Sequence, residues 1–202
     1  MNRTALYEEH KTLGAKLVPF GGFEMPVSYP EGIKKECYAV RNDVGIFDVS
    51  HMGEFHVKGN NAEIFLQTML TNDVLKLNMG DAQYTVMCYD NGGIVDDLIL
   101  YKIQDGYLLV VNASNIEKDF NWLEDHLQAN AILENHSDDC SLIAVQGPRS
   151  RSLIESILSE KQPQKFYTFN YLNFQDKEIM VSRTGYTGEL GFEIMGPHEI
   201  IK

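Results

Sequence analysis

The stretch from Tyr84 to Asn112 constrains the fold more than any other part of the chain. Turn signals at Asn91-Gly92-Gly93 and at Asp105-Gly106 each lie between runs of β-branched, aromatic and aliphatic residues. Such turns between apolar runs are typical of tight β-hairpins. We therefore predict three consecutive antiparallel strands. The middle strand, residues 92–101, is apolar enough on both faces to be a buried central strand.

Strand geometry predicts which side chains of this meander share a face. Asp96 and Asp97 must point in opposite directions, because side chains alternate along a strand. A two-residue turn at Asn91-Gly92 or Gly92-Gly93 puts Tyr84 on the face of Asp97. A turn at Asp105-Gly106 places Asn112 opposite Ile99, and one at Gln104-Asp105 places it opposite Asp97. In every case one face collects Tyr84, Asp97, Tyr101 and Asn112.

A carboxylate, an amide and two phenols on one sheet face have the composition of a small-molecule site. The alternative is a buried polar network that only stabilises the core, since structural networks also contain perturbed carboxylates. The spacing alone leaves both interpretations open.

The charge balance limits the classes of partner. The chain has 202 residues and a net charge of −12, with 17 Lys and Arg against 29 Asp and Glu. No basic surface is available to neutralise phosphates, so we expect neither nucleic acid nor an anionic membrane as a partner. No apolar run approaches the length of a transmembrane helix.

Cysteine and histidine usage gives no metal signature. The three cysteines, Cys37, Cys88 and Cys140, are far apart and lack CxxC spacing, which favours a reducing, cytoplasmic compartment. We expect Cys37 to be a core residue of its helix. His51 and His56 have neither the helical spacing nor the acidic neighbours of a metal pair, so we predict no metal site.

The remaining pattern predicts an α+β protein with antiparallel sheets and packed helices. Capping boxes at Asn60/Glu63 and Ser114/Glu117 predict the starts of two helices, and residues 21–32 read as an irregular loop. We expect a first domain made of residues 1–47 with 136–202, and a second domain of residues 48–135. The chain stops at Lys202 as a helix begins, so we expect a piece of a longer protein.

The glycine-rich segment RTGYTGELGFEI, residues 183–194, is a poor dinucleotide fingerprint. Such a fingerprint needs a tight turn from a strand into a helix, whereas this segment leads from one strand into another β-rich run. Glu193, between Phe192 and Ile194, is a second carboxylate in apolar surroundings.

Seven ordered motifs together resemble the aminomethyltransferase (T-protein) family of the glycine cleavage system. They are GGFEMPV, VGIFDVSHMGEF, TNDV, GGIVDDLILY, VVNASNIEKDFNW, AVQGP and RTGYTGELGFE. The resemblance implies the folate-binding T-protein fold. It also implies that a C-terminal barrel-like domain and further folate-contacting arginine and tyrosine residues lie outside this chain.

The resemblance further implies an activity. A lipoylated carrier, the H-protein, would present an aminomethyl group, and tetrahydrofolate would accept the one-carbon unit as ammonia leaves. The family's essential aspartate corresponds to Asp97. Folate contacts correspond to Met52, Tyr84, Tyr101, Asn112, Tyr167, Tyr186 and Glu193. We expect residues 1–202 alone to be inactive.

Two alternative functions remain open, one catalytic and one not. The same fold serves folate-dependent demethylating oxidases and methyltransferases, which would keep the pocket and change the donor. A non-catalytic folate-binding relative should lose the key acid, whereas Asp97 is retained.

Overall fold

A computed structural model describes all residues, 1–202. The chain forms two compact units: Met1–His51 with Asp139–Lys202, called unit 1, and Met52–Asp138, called unit 2. Each unit is a group of residues that contact one another more than they contact the rest of the chain. The division into domains of residues 1–47 with 136–202 and of residues 48–135 remains a prediction. No helix is long and apolar enough to cross a membrane.

Unit 2 is a five-stranded antiparallel sheet with two helices. Its elements, in chain order, are β4 Gly53–Lys58, α3 Ala62–Met69, β5 Ala82–Cys88, β6 Ile94–Ile103, β7 Gly106–Val111, α4 Ile116–Asp125 and β8 Ile132–Asn135. The strand order is β5-β6-β7-β4-β8. The predicted meander is thus confirmed as β5, β6 and β7, and β8 is an edge strand.

The register of the meander decides between the turns that the sequence left open. Tyr84 pairs with Ile99 across β5 and β6, as predicted. Across β6 and β7, Ile103 pairs with Gly106, so Gln104-Asp105 is the two-residue turn. Because Leu98 pairs with Val111 in this register, the next residue, Asn112, lies beside Asp97.

One face of the unit 2 sheet carries its apolar core. Fully buried Phe55, Leu100 and Leu109 pack there with Phe65 of α3 and Leu123 of α4. The sheet's other face carries Asp97, which is exposed. The prediction that β6 is buried on both faces is therefore wrong at Asp97: β6 lies inside the sheet, but the core cluster that includes both helices occupies one face only.

Unit 1 contains a five-stranded antiparallel sheet, a separate two-stranded sheet and four helices. Its elements are α1 Tyr7–Thr12, β1 Lys16–Phe20, β2 Phe23–Ser28, α2 Ile33–Asn42, β3 Gly45–Asp48, β9 Ser141–Gln146, α5 Ser150–Leu158, β10 Phe169–Phe174, β11 Lys177–Ser182, β12 Gly191–Gly196 and α6 His198–Ile201. The larger sheet has the order β10-β11-β12-β9-β3. Buried Val145, Ile154, Val181 and Phe192 form its core.

Local details of the sequence interpretation fail at four places. Residues 23–28, predicted as loop, form β2, where Pro26 is tolerated because both strands of a two-stranded sheet are edges. Neither capping box forms: α3 and α4 begin after Asn61 and Asn115 without a side-chain cap. Cys37, predicted in the core, is exposed.

Candidate functional site

Asn112 connects the two adjacent aspartates of β6. Its Nδ2 atom lies 3.0 Å from Asp96 Oδ1, 3.1 Å from the Asp97 carbonyl oxygen and 3.2 Å from Asp97 Oδ1. The amide hydrogens can therefore be donated to both carboxylates. Since Asp97 itself is exposed, the arrangement presents a carboxylate whose orientation is restrained by a neighbouring amide.

The two tyrosines predicted for this face occupy different environments. Tyr84 pairs with Ile99 and Tyr101 with Ala82, which puts both on the face of Asp97. The Tyr84 side chain is 45% exposed, whereas Tyr101 is 2% exposed. The Tyr84 side chain is thus accessible to a ligand, whereas Tyr101 is packed within the protein.

Asp96 forms an acid pair that the sequence interpretation missed. It is buried on the core side of β6 and contacts Asp119 of α4, which is 0% exposed. Burial, reinforced by the neighbouring Asp96 carboxylate, raises the pKa of Asp119 to about 8. Lys118 Nζ lies 3.8 Å from Asp119 Oδ1 and opposes this rise in pKa. Two buried carboxyl groups in contact favour a state in which they share one proton.

Unit 1 buries the other predicted carboxylate. Glu193 on β12 pairs with Ser182 and with Ala144, and it is 8% exposed. The Thr184 hydroxyl donates a hydrogen bond to Glu193 Oε2, and Ser182 Oγ lies 2.8 Å from Thr184 Oγ1. Burial raises the pKa of Glu193, and the Thr184 hydrogen bond opposes that rise.

Both predicted tyrosines of unit 1 lie within electrostatic range of Glu193. Tyr167 is half-buried, and its φ of 58° is a left-handed conformation that a bulky residue rarely adopts. Backbone strain of this kind is often found at functional sites. Tyr186 is 82% exposed and therefore free to contact a ligand.

The glycine-rich segment is folded around the buried side chain of Gln146. Gln146 Nε2 donates to the Phe192 carbonyl at 3.1 Å, and Thr187 Oγ1 donates to Gln146 Oε1 at 3.0 Å. A Cβ atom at Gly185 or Gly191 would lie 2.3 or 2.0 Å from Gln146 Oε1. Close packing thus explains Gly185 and Gly191, whereas Gly188 has a positive φ of 85° that favours glycine. The segment joins β11 to β12, as the sequence predicted.

Met52 and His51 lie where the chain passes from unit 1 to unit 2. Met52, predicted to contact folate, is the half-buried first residue of unit 2 and precedes β4. His51 is a packing residue: its imidazole lies edge-on to Phe20 and Phe23, at centroid distances of 5.5 and 6.2 Å. The structure therefore gathers Tyr84, Asp97, Tyr101 and Asn112 within unit 2, and Tyr167, Tyr186 and Glu193 within unit 1.

This fold and these contacts define an antiparallel α+β protein with a restrained, exposed carboxylate on one sheet face. The family profile described as the GCVT N-terminal domain matches residues 6–202, and the chain belongs to that family. The aminomethyltransferase of Chloroherpeton thalassium is 52% identical over an alignment of 202 positions, which covers 98% of this chain and 56% of that relative. The chain thus spans about half the length of the curated relatives it matches.

Solved structures agree with this assignment. The glycine cleavage system aminomethyltransferase T from Bartonella henselae superposes with a TM-score of 0.89 at 34% identity, over 98% of this chain and 54% of that one. The heterotetrameric sarcosine oxidase from Corynebacterium sp. U-96 shares the fold alone, with a TM-score of 0.56 at 12% identity, over 81% of this chain and 82% of that one. The predicted T-protein-like fold and the resemblance to the N-terminal portion of aminomethyltransferases are confirmed.

Proposed function

We propose that this chain supplies the N-terminal part of a tetrahydrofolate-dependent aminomethyltransferase of glycine breakdown. The reaction transfers the one-carbon unit of a lipoyl-bound aminomethyl group to tetrahydrofolate, giving methylenetetrahydrofolate and ammonia and leaving the lipoyl arm as its dithiol. The observation that carries the proposal is the exposed Asp97 carboxylate held by Asn112. An identity of 52% with an aminomethyltransferase supports it.

Asp97 is the catalytic residue in this proposal. Iminium-like positive charge develops on the transferred carbon and the attacking nitrogen of the acceptor as ammonia leaves, and a nearby carboxylate stabilises that charge. The Asn112 amide, 3.2 Å from Asp97 Oδ1, limits the rotation of the carboxylate, so less reorganisation is needed during the reaction. Asp97 also orients the attacking amine of the acceptor.

Glu193 is suited to the pterin ring of the acceptor. The ring presents adjacent N–H donors that one carboxylate can accept as a pair. Burial raises the pKa of Glu193, so N–H donors of a bound ligand would stabilise a charge that the surrounding protein disfavours. We therefore expect folate affinity to fall as the pH is lowered through the pKa of Glu193.

The other folate contacts in the proposal are mainly aromatic. Tyr84 and Tyr186 are exposed and can cover the faces of a ring, whereas Tyr101 and Tyr167 are more buried. Met52 and Asn112 complete the set. We propose the lipoylated H-protein as the macromolecular partner and the cytoplasm as the compartment.

A second candidate keeps the pocket and changes the donor. The fold shared with the sarcosine oxidase leaves room for a folate-dependent demethylase or methyltransferase. A non-catalytic folate-binding relative is less consistent with the retained, exposed Asp97.

The donor decides between these functions. The test uses a chimera in which residues 1–202 replace the matching part of the Chloroherpeton thalassium aminomethyltransferase, with the unaltered relative as the control. We expect ammonia release only when an aminomethyl-loaded lipoyl carrier and tetrahydrofolate are both present. A folded chimera that instead demethylates N-methylglycine, uses a sulfonium methyl donor or releases no ammonia contradicts the proposal.

A further inference from the structure

We propose that His56, Glu134 and His136 form a binding site for a divalent first-row transition metal, with Zn²⁺ as the ion to test first. The three residues lie in unit 2: His56 on β4, Glu134 on the neighbouring strand β8, and His136 directly after β8. His56 pairs directly with Glu134 across these strands. The His136 amide donates to the Glu54 carbonyl at 2.8 Å and continues the ladder, so His136 shares a face with Glu134.

The donor atoms are already close together. One ligand atom from each residue lies within 4.8 Å of the others. His136 Nε2 is 3.3 Å from Glu134 Oε2, and the two imidazole centroids are 4.6 Å apart. Ligands that bind Zn²⁺ tetrahedrally at about 2.0–2.2 Å are separated by roughly 3.4 Å, so small side-chain rotations would complete the site.

The ligand chemistry selects the class of metal. Two imidazoles and one carboxylate suit Zn²⁺, Co²⁺ or Ni²⁺, whereas Mg²⁺ and Ca²⁺ prefer sites made of oxygen alone. All three side chains are half-buried, so a fourth position can be filled by water. Sequence spacing does not reveal this set, because Glu134 and His136 lie about eighty positions beyond His56 and meet it only through the pairing of β4 with β8.

Lys58 competes for the same carboxylate. Its Nζ atom lies 2.8 Å from Glu134 Oε2, the oxygen that also faces His136. The Lys58 side chain is 34% exposed, so its ammonium group can move into solvent when a metal ion replaces it. Removal of this ammonium group should therefore tighten metal binding, which a merely incidental histidine cluster would not predict.

Metal binding would have a mechanical consequence. The strand β8 is at the edge of its sheet, and the metal would fasten it to β4. A ligand that binds only the folded state stabilises that state by mass action. We expect Zn²⁺ to raise the unfolding temperature of the chain.

The test is calorimetric titration of the 202-residue chain with Zn²⁺, together with Co²⁺ absorption spectroscopy to report coordination geometry. We expect one ion per chain, and at least about tenfold weaker binding in His56→Gln and in His136→Gln. Lys58→Met should bind more tightly than the unaltered chain. His126→Gln, which changes an exposed histidine on the same unit, should leave binding unchanged.

Three results would overturn the proposal. They are no binding at millimolar metal, binding that survives both His56→Gln and His136→Gln, and a Lys58→Met chain that binds no more tightly. The Lys58 variant keeps the test informative even if a histidine variant folds poorly, and circular dichroism of each variant checks that fold.

Discussion

Asp96 and Asp97 show how a step of one residue separates a buried structural carboxylate from an exposed one, to which we assign the proposed catalytic role. Alternation along β6 points the two side chains in opposite directions, as the sequence predicted. Asp96 is buried and Asp97 is exposed, whereas the sequence predicted burial on both faces. The amide of Asn112 contacts both. The acid pair of Asp96 with Asp119 was not predictable, because it depends on how α4 packs against the sheet and not on any local spacing.

The Asp96–Asp119 pair predicts an unusual pH dependence of stability. The pKa of Asp119 is about 8 in the folded chain and near its ordinary 3.8 when unfolded, so the folded state holds an extra proton between these pH values. The contribution of Asp119 to the free energy of unfolding therefore decreases as the pH rises from about 4 to about 8, and levels off above that range.

Asp119→Asn should remove this decrease, because the asparagine amide cannot lose a proton and can donate to Asp96. At pH 8 we expect the variant to be more stable than the unaltered chain by on the order of 1–3 kcal/mol, with little difference near pH 4. Urea unfolding of both proteins across this pH range measures the difference in stability. Asp125→Asn, an exposed acid of the same helix, is the control. An unchanged pH slope in Asp119→Asn would mean that the pair does not share a proton.

At the scale of the elements, close packing around Gln146 predicts a specific steric cost. In Gly191→Ala the new Cβ would lie 2.0 Å from Gln146 Oε1, and the Gln146 amide is held by Phe192 and Thr187. We expect Gly191→Ala to lower the free energy of unfolding by about 1–3 kcal/mol, a typical cost of overpacking. The added Gln146→Ala substitution should relieve part of that cost.

Thermal unfolding of the single and double variants measures this coupling. Gly93→Ala in the first hairpin turn is a comparison, because its nearest neighbour would be the exposed Asn91 side chain at 3.1 Å. Gly93→Ala should lower the free energy of unfolding much less than Gly191→Ala does. Strict additivity of Gly191→Ala and Gln146→Ala would argue against the packing explanation.

Elements defined by local chemistry were the predictable ones. The turn residues of the meander were sufficient to identify β5, β6 and β7. The Asn60/Glu63 capping box was wrong because a tertiary contact uses the Glu63 carboxylate: Glu63 Oε2 accepts hydrogen bonds from Lys102 Nζ at 3.0 Å and from the Tyr107 hydroxyl at 2.6 Å. The strand β2 was missed because its partner, β1, compensates for a proline that breaks the local pattern.

At the scale of the whole molecule, the net charge and the length of the chain both bear on folate binding. The chain has a net charge of −12, and the tail of folate carries carboxylates, so long-range repulsion opposes binding. It also spans about half the length of its curated relatives. We therefore expect residues 1–202 alone to bind a reduced folate weakly and to catalyse no measurable transfer.

Calorimetric titration of the 202-residue chain and of the chimera with a stable reduced folate measures this difference. The chimera should bind at least about tenfold more tightly, because each missing charge-assisted contact is worth about 1.5–3 kcal/mol. Equal affinities would show that the folate contacts are complete within residues 1–202. Added salt should reduce the difference in folate affinity between the two proteins only if charge repulsion contributes to that difference.

The rate of tetrahydrofolate-dependent ammonia release by the chimera, compared with its Asp97→Asn and Asp96→Asn variants, tests the central claim most directly. Asp97→Asn preserves shape and removes the charge, so we predict a loss of turnover on the order of a hundredfold or more with folate affinity largely kept. Asp96→Asn should mainly change stability, because Asp96 is buried against Asp119. Equal losses of turnover in two folded variants, or full activity in Asp97→Asn, would contradict the assignment of Asp97 as the catalytic carboxylate.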